Sequence, residues 1–232
     1  MLNNSADWPL NSYRGTNMKK HTLIRVLSLF VLLFLALEAP AQTKFEEEVH
    51  YFSIIPEQPG GEGEKVQVLE FFWYACPHCY NLEPHINKWL EKKPDNVEFV
   101  RIPALFKRAD VVLHAKTFYA LTLMGVEDEL NAALFDEIHV RKNKLADSAQ
   151  MEAFLAQKGV DVDAYRKAMK SFAVQTQSRR AEVLASRFDI RGVPAFVVDG
   201  KYRTSGLEGD LQMQAIDYLV DKVVTEKSLK KR

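Results

Sequence analysis

The stretch KVQVLEFFW (65–73) most restricts what this chain can build. It is short, rich in β-branched and aromatic residues, and apolar at both odd and even positions, as in a strand buried on both faces of a sheet. Cys76-Pro77-His78-Cys79 follows, leading into YNLEPHINKWLEKK (80–93), where Leu82, Ile86 and Leu90 recur every four residues as on one helical face. Pro84 inside that face predicts a kink or a break. NVEFVRIPA (96–104) is a further strand, stopped by Pro103. Strand, helix and strand at this length form a βαβ unit, so the two strands are predicted to be parallel. The chain is therefore an α/β protein, and Cys76 falls where a buried strand hands over to a helix. Upstream, EEVHYFSII (47–55) reads as a first strand ended by Pro56, and PEQPGGEGE (56–64) as a turn-rich loop.

From about 109 to 188 the pattern is helical alone. Val111, Ala115, Phe118 and Thr122 line one face, and Leu130, Leu134 and Ile138 the next. Asp147 with Gln150 makes a capping-box start for a helix carrying Met151, Phe154 and Leu155, closed by Gly159. Tyr165, Met169 and Phe172 follow, then Ala181, Leu184 and Phe188. Strand signals return in PAFVVDGKYRT (194–204), where Asp199-Gly200 marks a tight hairpin turn. A last amphipathic helix carries Leu211, Ala215, Tyr218 and Leu219. The sheet is thus split by an inserted all-α block: residues 42–104 and 189–232 make the α/β domain and 105–188 the helical one.

The 232 residues carry 31 basic and 31 acidic side chains, so no excess of positive charge points to nucleic acid. Lys19 and Lys20 precede an apolar run from Leu23 to Leu37, and Ala39-Pro40-Ala41 supplies small residues beyond it. That is the layout of a secretory signal cleaved after Ala41. The run falls short of the ~20 apolar residues of a membrane-spanning helix. Residues 1–17 fit no part of the layout, and Met18 makes the better start. An exported chain meets an oxidising compartment.

Cys76 and Cys79 are the two cysteines of the chain. A zinc site normally has four ligands, and no second CxxC completes one; His78 and His85 have the wrong spacing. A structural disulfide closing so small a loop constrains the unfolded chain little. Redox chemistry remains. The free N–H groups and dipole of a helix N-terminus stabilise a thiolate at Cys76. Pro77 suits the first helical turn, where its missing N–H is not needed, and His78 adds partial positive charge. A pair whose reduced form is favoured gives up its disulfide readily and so oxidises others. Cys76 is then the exposed, attacking sulfur and Cys79 the resolving one.

LEFFWYACPHCYNLEP together with RGVPAFVVDGKY resembles the DsbA-type thiol:disulfide oxidoreductases of the thioredoxin superfamily, over essentially all of 42–232. The resemblance implies a thioredoxin-like fold with an inserted helical domain, and the same oxidising direction. It also implies a cis peptide at Val193–Pro194 facing Cys76, where backbone groups pair with an extended substrate. Valine before that proline matches the oxidase branch. Isomerase relatives carry an N-terminal dimerisation domain, and about 24 residues between Gln42 and Lys65 leave no room for one; a monomer is expected. The family's buried acid falls on Glu70, where it passes protons to the resolving cysteine. The usual lysine partner is here Arg101, whose fixed fork is expected to hold Glu70 ionised and so to weaken that role.

The resulting expectation is a periplasmic dithiol oxidase. It donates the Cys76–Cys79 disulfide to newly exported, unfolded proteins and is itself reoxidised by a membrane-bound, quinone-linked partner. It needs no metal or organic cofactor. An exported reductase or isomerase using the same site, and a chaperone-like binding module with incidental cysteines, remain as alternatives.

Overall fold

The computed structural model describes residues 45–230; the signal segment and its cleavage point lie outside them. Strands β1 (Tyr51–Ser53), β2 (Val66–Phe72), β3 (Val97–Pro103), β4 (Ala195–Val198) and β5 (Tyr202–Ser205) form one sheet in the order β1-β5-β4-β2-β3. Helix α1 (Pro77–Leu90) connects β2 to β3, and these two strands are parallel with Glu70 opposite Arg101. β4 runs antiparallel to both β2 and β5. The βαβ unit is as the sequence predicts. Central β2 is buried along nearly its whole length, which is why its apolar residues show no alternation.

Two layers cover the sheet. Val66, Val68, Phe196 and Val198 face α1 and the last helix, α7 (Gly209–Lys230), packing on Leu82, Ile86, Ile216 and Leu219. On the other face Leu69, Phe71, Ile102 and Val197 meet Ala181 and Phe188. Between β3 and β4 lie α2 (Ala109–Met124), α3 (Glu127–His139), α4 (Ser148–Gln157), α5 (Val162–Lys170) and α6 (Phe172–Arg187). Their own core, built on Phe118, Leu134, Phe135, Met151, Phe154 and Tyr165, is continuous with Phe72, Tyr74 and both cysteines. The helical block therefore closes over the strand end that carries the CxxC motif.

The helix starts follow from local chemistry. The Asp147 carboxylate accepts from the Gln150 N–H at 2.9 Å, and the Gln150 side chain accepts from the Ala146 N–H at 3.0 Å, one residue before the cap. Gly159 has φ of +80°, a left-handed value that suits glycine. Asp161 caps α5, and Ser171 separates α5 from α6 by accepting from the Val174 N–H.

Several sequence expectations need correction. The first strand spans three residues rather than nine: its pairing is with β5, and only Tyr51–Ser53 reaches it. Pro84 lies inside an unbroken α1. A proline there removes one N–H, and packing of Leu82 and Ile86 holds the helix together around the gap. Phe172 is 85% exposed, because the helix restarts at Ser171 and turns it outward. Thr122 is likewise exposed. In α7 the buried face runs through Gln212, Met213, Ala215, Ile216 and Leu219, leaving Leu211 partly exposed.

The β4–β5 turn is as read. Asp199 and Gly200 both have positive φ, +53° and +67°, at the centre of a turn that the Lys201 N–H closes on the Val198 carbonyl; with Val198 opposite Tyr202, residues 199–201 join the strands. A side chain at Gly200 would also run into the Gln58 carbonyl, in the loop that the Gln58 N–H ties to the turn by donating to the Gly200 carbonyl at 3.0 Å. Gly200→Ala is expected to destabilise the fold by about 1–3 kcal/mol, read as a lower urea midpoint at unchanged slope.

Candidate active site

Cys76 is the N-cap of α1, with Pro77 at the first helical position. β2 ends at Phe72, a turn closed by the Cys76 N–H on the Trp73 carbonyl at 2.9 Å follows, and the extended backbone of Cys76 leads into the helix. The Tyr80 N–H donates to the Cys76 carbonyl at 3.1 Å, closing the first turn. Cys79, one turn on, is fully buried, and both cysteines are free thiols.

The electrostatics separate the two sulfurs. The neighbouring Cys79 thiol does most to favour a thiolate at Cys76, ahead of the backbone N–H groups of Cys79 and His78 and the His78 charge, although none of these is aligned as a cap hydrogen bond to the thiol. Together these outweigh burial and bring its pKa down to about 6. Burial pushes Cys79 far above the usual thiol range, and the neighbouring Cys76 sulfur reinforces it. One sulfur is therefore a thiolate at neutral pH and the other a thiol. Contrary to the expectation of an exposed attacking sulfur, Cys76 is only 7% exposed. The cover comes from the 193–194 loop and from the helical block.

Val193–Pro194 is a cis peptide, and the Cys76 thiol reaches the Val193 carbonyl with Sγ–O 3.3 Å. Sequence reading thus brings together two segments more than a hundred residues apart. Beside them opens a groove of about 510 Å³. Its walls include His78, Leu82 and His85 on α1, Val193 and Pro194, and Leu207 with Glu208 ahead of α7. His78 is exposed, with Nδ1 3.4 Å from Glu208 Oε1. His85 Nδ1 lies 2.7 Å from Asp210 Oδ1, tying α1 to the start of α7. Among the described residues no group of three or more His, Cys, Asp or Glu is placed to hold a metal ion.

Glu70 is fully buried beneath Cys79 and raises that thiol's pKa through its charge. The Arg101 Nε lies 3.3 Å from Glu70 Oε2, but not aligned as a hydrogen bond, and both Glu70 oxygens lack such a partner. Burial dominates and lifts the Glu70 pKa to about 8, against the opposing pull of Arg101. This corrects the expectation that arginine holds the carboxylate ionised. The guanidinium is shared: its Nη2 donates to Glu83 Oε2 at 3.1 Å, and Glu83 and Glu127 push the Glu70 pKa further up. A carboxyl that titrates near neutrality can both give and take a proton.

Sequence reading missed Glu83, which also accepts from Asn131 at 3.1 Å, and Glu127, raised to about 7 by burial. Glu83 carried a signal: it lies four residues after Cys79, on the helical face of Leu82 and Ile86. Glu127 carried none, since an acid in a first helical turn is ordinary. Trp73 was also passed over. Its indole N–H donates to His114 Nδ1 at 3.1 Å while His114 Nε2 meets the Leu145 carbonyl at 3.0 Å, so the ring is neutral and its pKa lowered by burial.

Comparison with known proteins agrees with this geometry. Residues 67–220 match the family model of the DSBA-like thioredoxin domain. The thiol:disulfide interchange protein DsbA of Pseudomonas aeruginosa is 41% identical over 211 residues, covering 88% of this chain and 97% of that protein. Its namesake in Azotobacter vinelandii is 40% identical over 213 residues, covering 88% and 97%. The crystal structure of Pseudomonas aeruginosa DsbA superposes with a TM-score of 0.74 at 38% identity, covering 81% of this chain and 97% of that one. Reduced DsbA1 from Neisseria meningitidis gives 0.70 at 27% identity, covering 81% and 99%. Across the described residues no helix is long and apolar enough to cross a membrane.

The thiolate absorbance of the reduced protein near 240 nm is expected to titrate with a midpoint near pH 6, and His78→Leu to move that midpoint upward. The Cys76 pKa is depressed on folding, so its contribution to the stability of the reduced form is lost as pH falls through about 6. Denaturant titrations of reduced and oxidised protein at pH 7 and pH 5 check this: the reduced form's advantage shrinks at pH 5.

Proposed function

We propose that this chain, which belongs to the DSBA-like thioredoxin-domain family, is a thiol:disulfide oxidoreductase that works as a dithiol oxidase of exported proteins in the periplasm. The observation that carries the reading is the split between the two sulfurs. Cys76 is a helix-capping thiolate with a pKa of about 6, while Cys79 stays protonated beneath it. Stabilising the reduced form makes the disulfide a ready electron acceptor.

In the oxidised protein a client thiolate attacks the Cys76 sulfur. The Cys76–Cys79 bond breaks, a mixed disulfide forms, and Cys79 leaves and takes up a proton. A second client thiol, losing its proton, attacks the client sulfur of the mixed disulfide and expels Cys76 as a thiolate. The client loses two electrons and gains its disulfide, and the protein ends with Cys79 protonated and Cys76 charged. A low Cys76 pKa makes it the better leaving group in the second step. Val193 and Pro194 hold the client backbone beside the sulfur, and Pro77 and His78 tune Cys76. Glu70, titrating near pH 8, is the proton donor to Cys79.

The division into a thioredoxin-like part (42–104 and 189–232) and an inserted helical part (105–188) belongs to this reading. So do a membrane-bound, quinone-linked reoxidising partner and an unfolded, newly exported client. Family membership and the secretory layout of residues 18–41 support the location.

Trapping tests the reading. Pro194→Thr, expressed with an export signal, is expected to accumulate mixed disulfides on Cys76 that disappear on reduction. Their absence would contradict the proposed client site. Cys76→Ala is expected to abolish disulfide transfer, whereas a chaperone with incidental cysteines would keep its activity. Glu70→Gln is expected to lower the pH at which Cys79 loses its proton and to slow client oxidation. An unchanged Cys79 titration would remove Glu70 from the proton path.

A further inference from the structure

A cavity of about 1360 Å³ shares no lining residue with the groove beside Val193 and Pro194. It runs along β3, which is an edge of the sheet. Five consecutive β3 residues, 98 to 102, all line it. Consecutive strand residues point to opposite faces, so a cavity touching all five reaches round the strand's open edge; with Leu69, Ala181 and Phe188 also in its lining, it continues over the sheet face that α6 covers.

The register shows which backbone groups lie on that edge. Asn96 and Ala104 spend their backbone bonds on β2, the Asn96 carbonyl accepting from Val66 and the Ala104 N–H donating to Phe72. Even-numbered residues therefore face β2 and odd-numbered ones face outward. At one end Val97 is occupied: its N–H donates to Pro94 and its carbonyl accepts from Lys93 Nζ at 2.7 Å. At the other end Pro103 has no N–H. Between these stops the N–H and C=O of Phe99 and Arg101 point away from β2 and have no partner among the described residues, the spacing that an added strand requires. An unprotected edge of this kind is normally covered or blunted.

The surroundings say what fits. Exposed Leu123 and Val183 offer apolar contact for alternate side chains. From α6, Arg179, Arg180 and Arg187 line the same cavity, all exposed and, among the described residues, in no ion pair. The cavity's acids, Glu98, Glu127 and Asp128, lie on β3 and α3. The α6 wall alone is uniformly cationic.

We propose that the β3 edge is a second docking site, where an extended, acidic and apolar segment of the client polypeptide adds as a strand at Phe99 and Arg101 with its acidic side chains toward α6. The occupant's identity rests on the oxidoreductase reading above; an unfolded client has extended segments to offer. Docking there tethers the client while its cysteine reacts at Cys76, raising the local concentration without a new contact at the sulfur.

The test uses a cysteine-free octapeptide alternating valine and glutamate, with a valine–lysine peptide as control, added to the full protein. The glutamate peptide is expected to slow hydrogen exchange of the Phe99 and Arg101 amides at least tenfold at saturation. The lysine peptide is expected to bind roughly tenfold more weakly. Arg180→Glu with Arg187→Glu reverses the preference. Phe99→Pro, whose lost N–H serves no ladder bond, abolishes binding of both peptides. Circular dichroism confirms that each variant is folded; if Phe99→Pro is not, the arginine pair carries the test alone. Unchanged exchange at Phe99 and Arg101, or equal binding of the two peptides, would overturn the inference. A dithiol client peptide carrying the valine–glutamate extension is expected to show a KM at least tenfold lower than one without it, at equal kcat, and the arginine variants to remove the gain. Oxidation of both at equal KM sinks the second site, whereas oxidation of neither sinks the oxidase reading.

Discussion

Everything in this structure turns on one sulfur being held as the N-cap of a helix that leaves a buried strand. Cys76 follows β2 by one short turn, closed by its N–H on the Trp73 carbonyl, and it faces the open N–H groups of α1 because the helix begins there. Neither element alone would produce a thiolate. The strand fixes the position, the helix supplies oriented donors, and the Cys79 thiol one turn on supplies the strongest one. The cis peptide at Val193–Pro194 brings a carbonyl to the same atom from the start of β4, the strand beside β2. The helical block, whose core is continuous with both cysteines, keeps water from most of the sulfur.

A second balance operates below the cysteines, and there burial wins over charge. Glu70 sits opposite Arg101 in the β2–β3 register, which suggests an ion pair. Yet the contact is poorly aligned and the guanidinium also serves Glu83. One cation among three carboxyls cannot keep all of them ionised in a medium that solvates charge poorly. The result is an acid that titrates near the working pH beside a thiol that must gain and lose a proton. With Glu70 raised to about 8, arginine in place of the family's lysine does not hold the carboxyl low, contrary to what the residue types alone suggest.

The sequence carried the fold where one physical signal dominated. Buried β2 was legible from apolar residues at both parities, the βαβ unit from the change of period, and the β4–β5 hairpin from Asp199-Gly200. The family's motifs placed the cis peptide. What was not legible depended on partners distant in the chain. The length of β1 is set by how far β5 can pair with it, and the outward turn of Phe172 by a cap at Ser171 that a periodicity cannot register. The burial of Cys76 by the helical block, the division of Arg101 between two carboxyls and the open edge of β3 are all tertiary facts. A rule about residue types weighs one pair at a time and could not see them.

The central claim is that the fold favours the reduced form of the Cys76–Cys79 pair, so that its disulfide is an oxidant. The reduction potential of the pair, from equilibration with glutathione buffers at pH 7, tests this most directly. The account predicts a value well above the roughly −270 mV of thioredoxin, with the thiolate of Cys76 present in the reduced form. A value near thioredoxin's would contradict it and make the chain a reductase built on the same frame.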